Sequence, residues 1–130
     1  MKILTIAAAI CFALVGSAKA GPRHFISYDS GQIVAHPAGC PYTAFCGCGV
    51  SVRVFGHPVR DLFLARNWFR YPRAAPAAGR VAIFRGGGHV AYIESIEGDG
   101  TALLYDPNSG GHLTRLHRVS IAGIPVVAPR

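Results

Sequence analysis

The chain has 130 residues, with 13 lysines and arginines against 6 aspartates and glutamates, for a formal net charge of +7. That length favours one small domain with a core of its own. The basic residues are scattered and form no nucleic-acid motif, so we expect no nucleic-acid partner. The excess charge favours an anionic polymer or surface, although a cationic surface that only keeps the protein soluble is the simpler interpretation.

The N-terminus predicts a secretory signal peptide over residues 1–20. Lys2 provides a short positive region, residues 3–15 form an apolar run, and residues 18–20 read Ala-Lys-Ala. This order is typical of a cleaved signal, and the run is short for a membrane span. The alternatives are a buried helix and a retained anchor. We expect export to the periplasm or the medium, and no transmembrane segment in the mature chain.

Cleavage would remove Cys11 and leave three cysteines, Cys40, Cys46 and Cys48. In an oxidising compartment an odd number leaves one thiol unpaired. Cys46 and Cys48 are too close in sequence for an unstrained disulfide with each other. The residues themselves therefore leave two pairings open: Cys40 with Cys48, or Cys40 with Cys46.

The first half of the mature chain alternates between irregular and ordered segments. Residues 21–39 predict an irregular arm with at most one short strand. Residues 46–55 are ambiguous: Val50, Val52 and Val54 alternate as in a strand, whereas Cys46, Val50 and Val54 would share one face of a helix. Local propensity favours the strand.

The remainder predicts one helix followed by a run of strands. Residues 61–70 have a candidate cap, Asp61, and an apolar stripe of Leu62, Ala65, Trp68 and Phe69. Residues 97–100, Glu-Gly-Asp-Gly, indicate a hairpin turn. The expected strands are 80–85, 89–96, 101–105, 113–119 and 124–128. Helices followed by an antiparallel meander indicate the α+β class.

Three places carry residues suited to thiol chemistry. Cys46 offers a nucleophile, His89 opens a strand after three glycines, and Asp106 and Asn108 follow the next strand. A neighbouring imidazole can lower the pKa of a thiol, and a third polar group can orient the ring. Because a hairpin joins the two strands, we expect His89 to lie near Asp106 and Asn108.

At these residues the chain resembles the CHAP and NlpC/P60 papain-like cell-wall hydrolases. The resemblance rests on a cysteine followed by His-Val-Ala-Tyr-Ile-Glu-Ser, Gly-Asp-Gly-Thr and Tyr-Asp-x-Asn-Ser-Gly. It covers about Cys40 to Pro129 and is closest to small exported bacterial relatives with a Cys-Gly-Cys step. It implies a papain-like domain over residues 40–130, with N-terminal helices packed on an antiparallel β-meander.

The resemblance also implies roles for the candidate residues. Cys46 would be the nucleophile at the N-terminus of a helix, which replaces the strand favoured by propensity. His89 would be the general base and acid, and either Asp106 or Asn108 would orient it. The implied reaction is hydrolysis of amide bonds in peptidoglycan peptides, by amidase or endopeptidase action, without a cofactor.

Other residues receive secondary expectations. With Cys46 as the free thiol, the disulfide would join Cys40 and Cys48. Residues expected on the substrate-binding side of the cleft are Tyr42, Thr43, Gly88 and His112. Trp68, Phe69, Phe84 and Tyr92 are expected in the core or the groove wall, and His24, His36, His112 and His117 at the surface. Gly47 and Gly49 depart from the family pattern and lower helix propensity.

Two other functions compete with the hydrolase. A metal site could use Cys40, Cys46 and Cys48 with His36 or His57, although this spacing matches no common zinc pattern. A non-catalytic exported envelope protein could retain the papain-like fold for binding. We expect a monomer whose partner is peptidoglycan or another anionic envelope polymer.

Overall fold

A computed structural model describes residues 31–130, so the predicted signal peptide, Cys11 and His24 lie outside the described residues. The described part is a six-stranded antiparallel sheet with one α-helix. The strands follow one another across the sheet in the order β1-β5-β4-β3-β2-β6. The elements are β1 (Gln32–Val34), α1 (Cys46–Phe55), β2 (Val81–Phe84), β3 (His89–Ile96), β4 (Thr101–Asp106), β5 (Thr114–Ser120) and β6 (Val126–Val127).

The predicted order of helix and then antiparallel strands is confirmed. All five strands expected after residue 80 are present, and β1 is the one short strand expected in the N-terminal arm. In the hairpin, Tyr92 pairs with Tyr105 and Ile93 pairs with Leu104. This register brings the beginning of β3 beside the end of β4, which is the arrangement expected for the two halves of the candidate site.

Residues 46–55 form α1, so the strand that local propensity favours is wrong and the helix implied by the resemblance is correct. The two glycines explain why a helix with low intrinsic propensity forms here. A Cβ atom on Gly47 would collide with the backbone oxygens of Leu62 and Phe63, and one on Gly49 would lie 2.5 Å from Cβ of Pro107. Gly47 therefore lets α1 pack closely against neighbouring backbone, and Gly49 lets it pack against the Pro107 side chain; this tertiary packing outweighs their low helix propensity.

The single helix predicted for residues 61–70 is wrong. The segment forms two 3₁₀ helices, Arg60–Leu62 and Ala65–Arg70, separated by Leu64 in an extended conformation. The Trp68 indole N–H donates a hydrogen bond of 3.0 Å to the Leu62 carbonyl, which stabilises this break. Asp61 makes no side-chain cap, although three of the four predicted stripe residues, Leu62, Ala65 and Trp68, are buried.

The sheet buries apolar side chains on both of its faces. On one face α1 and the 3₁₀ helices cover a cluster that includes Val50, Trp68, Ile83 and Val90. The other face carries a second cluster of Ala82, Ala91, Ile93, Ala102, Leu104, Ile121 and Val126. Within residues 31–130, no helix has the length and apolar character needed to cross a membrane.

An ion pair on the outside of the molecule fixes α1 to the sheet. The Arg53 guanidinium donates two hydrogen bonds of 2.7 Å to the Glu94 carboxylate on β3. The same guanidinium lies 4.6 Å from the ring centre of Tyr92. A bidentate pair of this kind constrains orientation as well as distance, so it holds the helix at a defined angle to β3.

Candidate active site

A disulfide determines which cysteine remains free. Cys40 and Cys48 are bonded to each other, and Cys46 is a buried free thiol. Of the two pairings that the residues left open, the structure therefore contains the first. The disulfide also occupies two of the ligands that the metal hypothesis requires, and residues 31–130 contain no cluster of three potential ligands.

Cys46 is the first residue of α1. The turn that precedes it contains Ala44 with a φ of 47°, a left-handed conformation that is costly for a residue other than glycine. Such strain persists only where surrounding structure enforces it, and it is frequent at functional sites. Phe45, which follows Ala44, is buried against the Cys40–Cys48 disulfide, and α1 begins at the next residue, Cys46.

The environment of Cys46 favours the thiolate. Burial raises the pKa of this thiol, but the hydrogen bond and the positive charge of His89 lower it, as do backbone hydrogen bonds from Val90 and Gly47. The net effect is a pKa below the ordinary value of 9.0. The N-terminal end of the helix dipole acts in the same direction.

His89 lies between the thiol and a buried carboxylate. The histidine opens β3, and Asp106 ends β4. The Nε2 atom of His89 lies 2.5 Å from Oδ1 of Asp106, and both residues are buried. Because Asp106 occupies Nε2, Nδ1 is the ring nitrogen available to the Cys46 thiol. The three predicted groups are thus connected in the order thiol, imidazole, carboxylate.

A second histidine holds the other oxygen of Asp106. The Nε2 atom of His117, on β5, lies 2.7 Å from Oδ2 of Asp106. The expectation that His117 is exposed is therefore wrong. In the register of β4 and β5, His117 is opposite Leu104, two residues before Asp106 on the same strand face. His117 lies in a strand that the sequence predicted. The register that places it beside Asp106 depends on the turn between β4 and β5, and the sequence did not predict the geometry of that turn.

These contacts shift the pKa values of His89 and Asp106 in opposite directions. Burial lowers the pKa of His89, but hydrogen bonds and charge interactions with Asp106 and Cys46 raise it by a larger amount. The net result is a pKa raised from 6.5 to about 9. Burial raises the pKa of Asp106, but hydrogen bonds from His117 and His89 and the charge of His89 lower it, to about 2. At neutral pH these values correspond to an ionised Asp106 carboxylate and a protonated His89, and the positive charge of His89 favours the thiolate form of Cys46.

Asn108, the alternative partner of His89, makes no hydrogen bond to it among the described residues; it lies in the turn after β4 with a φ of 60°. Asp106 is therefore the group that contacts the ring. Asn108 instead lines a cavity of about 390 Å³ beside His89, Asp106 and His117.

The predicted substrate-binding residues are dispersed. Gly88 precedes His89 in an exposed turn, and its N–H donates to the Phe84 carbonyl. Thr43 is exposed, and Tyr42 lines a different cavity, beside the disulfide. His112 is exposed, as expected of a surface histidine, but it does not line the cavity beside His89. None of the four residues lines the cavity beside His89, and their roles in substrate binding stay predictions.

The predicted positions of the other aromatic residues and of His36 are correct in some cases and wrong in others. Trp68 is fully buried, Tyr92 packs against the core, and Phe84 lines the cavity beside His89, whereas Phe69 is exposed. His36 is half-buried instead of exposed. Its ring Nε2–H donates to the Cys40 carbonyl, and the ring stacks on that of Tyr42 with 4.2 Å between the two ring centres.

The chain was also compared with known proteins: no family model matches it, and no curated protein is similar to it. A thiolate, a protonated imidazole and an acceptor for the second ring proton are the groups that a thiol acyl-transfer reaction needs.

Proposed function

We propose that the protein is an exported thiol hydrolase that cleaves amide bonds in peptidoglycan peptides. The observation that carries the proposal is the connection from Cys46 through His89 to Asp106, with the thiol at the first residue of a helix. The chain order of these groups, on a helix packed against an antiparallel sheet, is also the order that a papain-like hydrolase of the CHAP or NlpC/P60 type would have.

The first half of the reaction uses the ion pair directly. The Cys46 thiolate attacks the amide carbonyl carbon, and the carbonyl electron pair moves to oxygen. The N–H of Cys46 is among the first N–H groups of α1, which have no acceptor within the helix, so it can donate to that oxyanion. When the intermediate collapses, the amine takes the proton from Nδ1 of His89 and leaves, and a thioester remains on Cys46.

The second half restores the site. Neutral His89 accepts a proton from water through Nδ1, and the resulting hydroxide attacks the thioester carbonyl. Collapse releases a carboxylic acid and regenerates the thiolate beside the imidazolium. Throughout, the Nε2–H of His89 donates to Asp106, which keeps the ring in one tautomer and orientation.

Charge supports an anionic polymer as substrate. The mature chain expected after signal cleavage would keep all 11 arginines and lose both lysines, against the same 6 acids. Exposed arginines at positions such as 60, 66, 70 and 85 would attract the carboxylates of peptidoglycan peptides.

Digestion of purified peptidoglycan tests this proposal. We expect the mature wild-type protein to release fragments carrying new amino and carboxyl termini, detected by mass spectrometry. Cys46→Ala and His89→Ala should each abolish release while leaving the thermal unfolding transition in place. His57→Ala, which changes an exposed histidine outside the site, is the matched control. Full activity of Cys46→Ala would contradict the hydrolase and favour the non-catalytic envelope protein.

A further inference from the structure

Three of the five large hydrophobic side chains that are exposed among residues 31–130 lie on or beside one arginine-rich segment, residues 60–73. Leu64 and Phe69 belong to the segment itself. Tyr42, which is 75% exposed, lines a cavity together with Arg60 of the segment. Single exposed apolar residues are ordinary on a protein surface, but residues gathered in one place indicate a contact surface.

The geometry of the 3₁₀ helix Ala65–Arg70 explains why apolar and cationic side chains are exposed together. With three residues per turn, Ala65 and Trp68 lie in one row, and this row is buried in the core. The other two rows face away from the core. One row is Asn67 and Arg70, continued by Leu64 just before the helix, and the other is Arg66 and Phe69. The outer surface of the helix therefore mixes arginines with large apolar groups.

The charge of the segment is almost entirely positive. Residues 60–73 contain one acid, Asp61, and four arginines, which are Arg60, Arg66, Arg70 and Arg73. All four arginines are exposed, and within residues 31–130 none of them forms an ion pair with a carboxylate. The net positive charge of the segment is therefore available to an anionic partner.

Contacts within the segment hold the charged and apolar groups side by side. The Arg73 guanidinium lies 5.1 Å from the ring centre of Phe69. A Cβ atom on Gly87 would lie 2.8 Å from Cβ of Arg66 and 3.4 Å from Cε2 of Phe69, so both side chains border the same turn. We call this surface the arginine-rich face, and its members are Arg60, Leu64, Arg66, Phe69, Arg70 and Arg73.

We propose that the arginine-rich face docks the protein on the surface of an anionic phospholipid membrane. The guanidinium groups bind lipid phosphates, which match their fork of N–H donors in geometry and charge. Leu64, Phe69 and the neighbouring Tyr42 enter the headgroup region, where apolar and aromatic side chains add to the electrostatic attraction. A cell-wall polyanion would need the charges alone, so the exposed apolar side chains favour the membrane. The contact is peripheral and does not depend on the proposed hydrolase activity.

Co-sedimentation with lipid vesicles tests the charged part of the face. The mature chain expected after signal cleavage is mixed with vesicles of phosphatidylcholine, either alone or with phosphatidylglycerol. We expect binding to the anionic vesicles only, and weaker binding as salt is added. Arg66→Gln and Arg70→Gln should each weaken binding about fivefold, the contribution of one basic residue near an anionic surface. Arg118→Gln, which removes one charge from β5, is the matched control and should have little effect.

A second pair of variants tests the apolar part at constant charge. Leu64→Ser should weaken binding to anionic vesicles by about fivefold, because the leucine no longer enters the headgroup region. Ile33→Ser is the matched control, since Ile33 is 57% exposed and Leu64 is 55% exposed. Ile33 lies on β1, at the opposite side of the sheet from β2, against which the 3₁₀ helix packs. It should bind as the wild type does, and both variants should keep the thermal unfolding transition.

Three results would overturn the docking surface. The first is absence of wild-type binding to anionic vesicles, and the second is equal vesicle binding by Leu64→Ser and Ile33→Ser. The third is weaker binding of Arg66→Gln and Arg70→Gln to purified peptidoglycan with unchanged binding to vesicles, which would show that the face binds the cell-wall polymer instead. A protein that binds vesicles as predicted but cleaves no peptidoglycan would refute the proposed function and support the docking surface.

Discussion

The helix that carries Cys46 and the hairpin that carries His89 and Asp106 are held in place by different kinds of interaction. The hairpin is fixed by a backbone ladder between β3 and β4, and its two strands and its turn were predicted from local sequence. The position of α1 depends instead on a disulfide, on close contacts at two glycines, and on the Arg53–Glu94 pair. Local pattern thus suffices for one half of the site, while the other half is set by contacts distant in sequence.

The largest expected effect comes from the hairpin half, at Asp106. Asp106→Asn keeps an oxygen for the His89 ring but removes the negative charge that holds its proton. We expect kcat/KM at neutral pH to fall by roughly 100-fold or more. Steady-state kinetics on the stem peptide that the wild type cleaves measures this loss.

The pH profile of Asp106→Asn tests whether Asp106 raises the pKa of His89. Wild-type activity should fall as pH rises through the pKa of His89, about 9, because the ion pair then loses its proton. In Asp106→Asn this basic limb should move down toward the ordinary histidine value of 6.5. If the basic limb lies at the same pH in the wild type and in Asp106→Asn, Asp106 does not stabilise the protonated form of His89.

Gly49 tests the helix half of the comparison. A Cβ atom in Gly49→Ala would lie 2.5 Å from Cβ and 2.6 Å from Cγ of Pro107, which directly follows Asp106. We expect the free energy of unfolding to fall by roughly 1–3 kcal/mol in urea denaturation, despite the better helix propensity of alanine. The control is Gly98→Ala, where nothing lies within 4 Å and little change is expected. Stabilisation by Gly49→Ala would show that propensity, and not packing, limits α1.

A smaller effect is expected at His117, which links β5 to the hairpin half. His117→Ala removes one hydrogen bond to Asp106, so the carboxylate is less firmly oriented toward His89. We expect kcat to fall about tenfold with KM unchanged. His117→Gln should recover much of the loss, because its amide can donate to Oδ2 of Asp106. A role confined to folding would instead lower thermal stability in both variants and leave the pH profile of the remaining activity unchanged.

The same contrast explains what the sequence could predict. The strands after residue 80 and the hairpin were predicted from local sequence and turn residues, and the proximity of His89 to Asp106 follows from the antiparallel hairpin. The residues of α1 alternate like a strand, and only the resemblance indicated a helix, because the packing of Gly47 and Gly49 is a tertiary property. The break at Leu64 depends on the hydrogen bond from the Trp68 indole to the Leu62 carbonyl. The contact of His117 with Asp106 depends on the register between β4 and β5. Both are tertiary properties that local sequence patterns do not contain.

The central claim is that Cys46 is a thiolate maintained by His89. The most direct test is the rate of Cys46 alkylation by iodoacetamide as a function of pH, in the disulfide-intact protein. We predict substantial reactivity well below the ordinary thiol pKa of 9.0, and a shift of the profile toward that value in His89→Ala. Reactivity that rises only near pH 9.0 in the wild type, with the same profile in His89→Ala, would contradict the account.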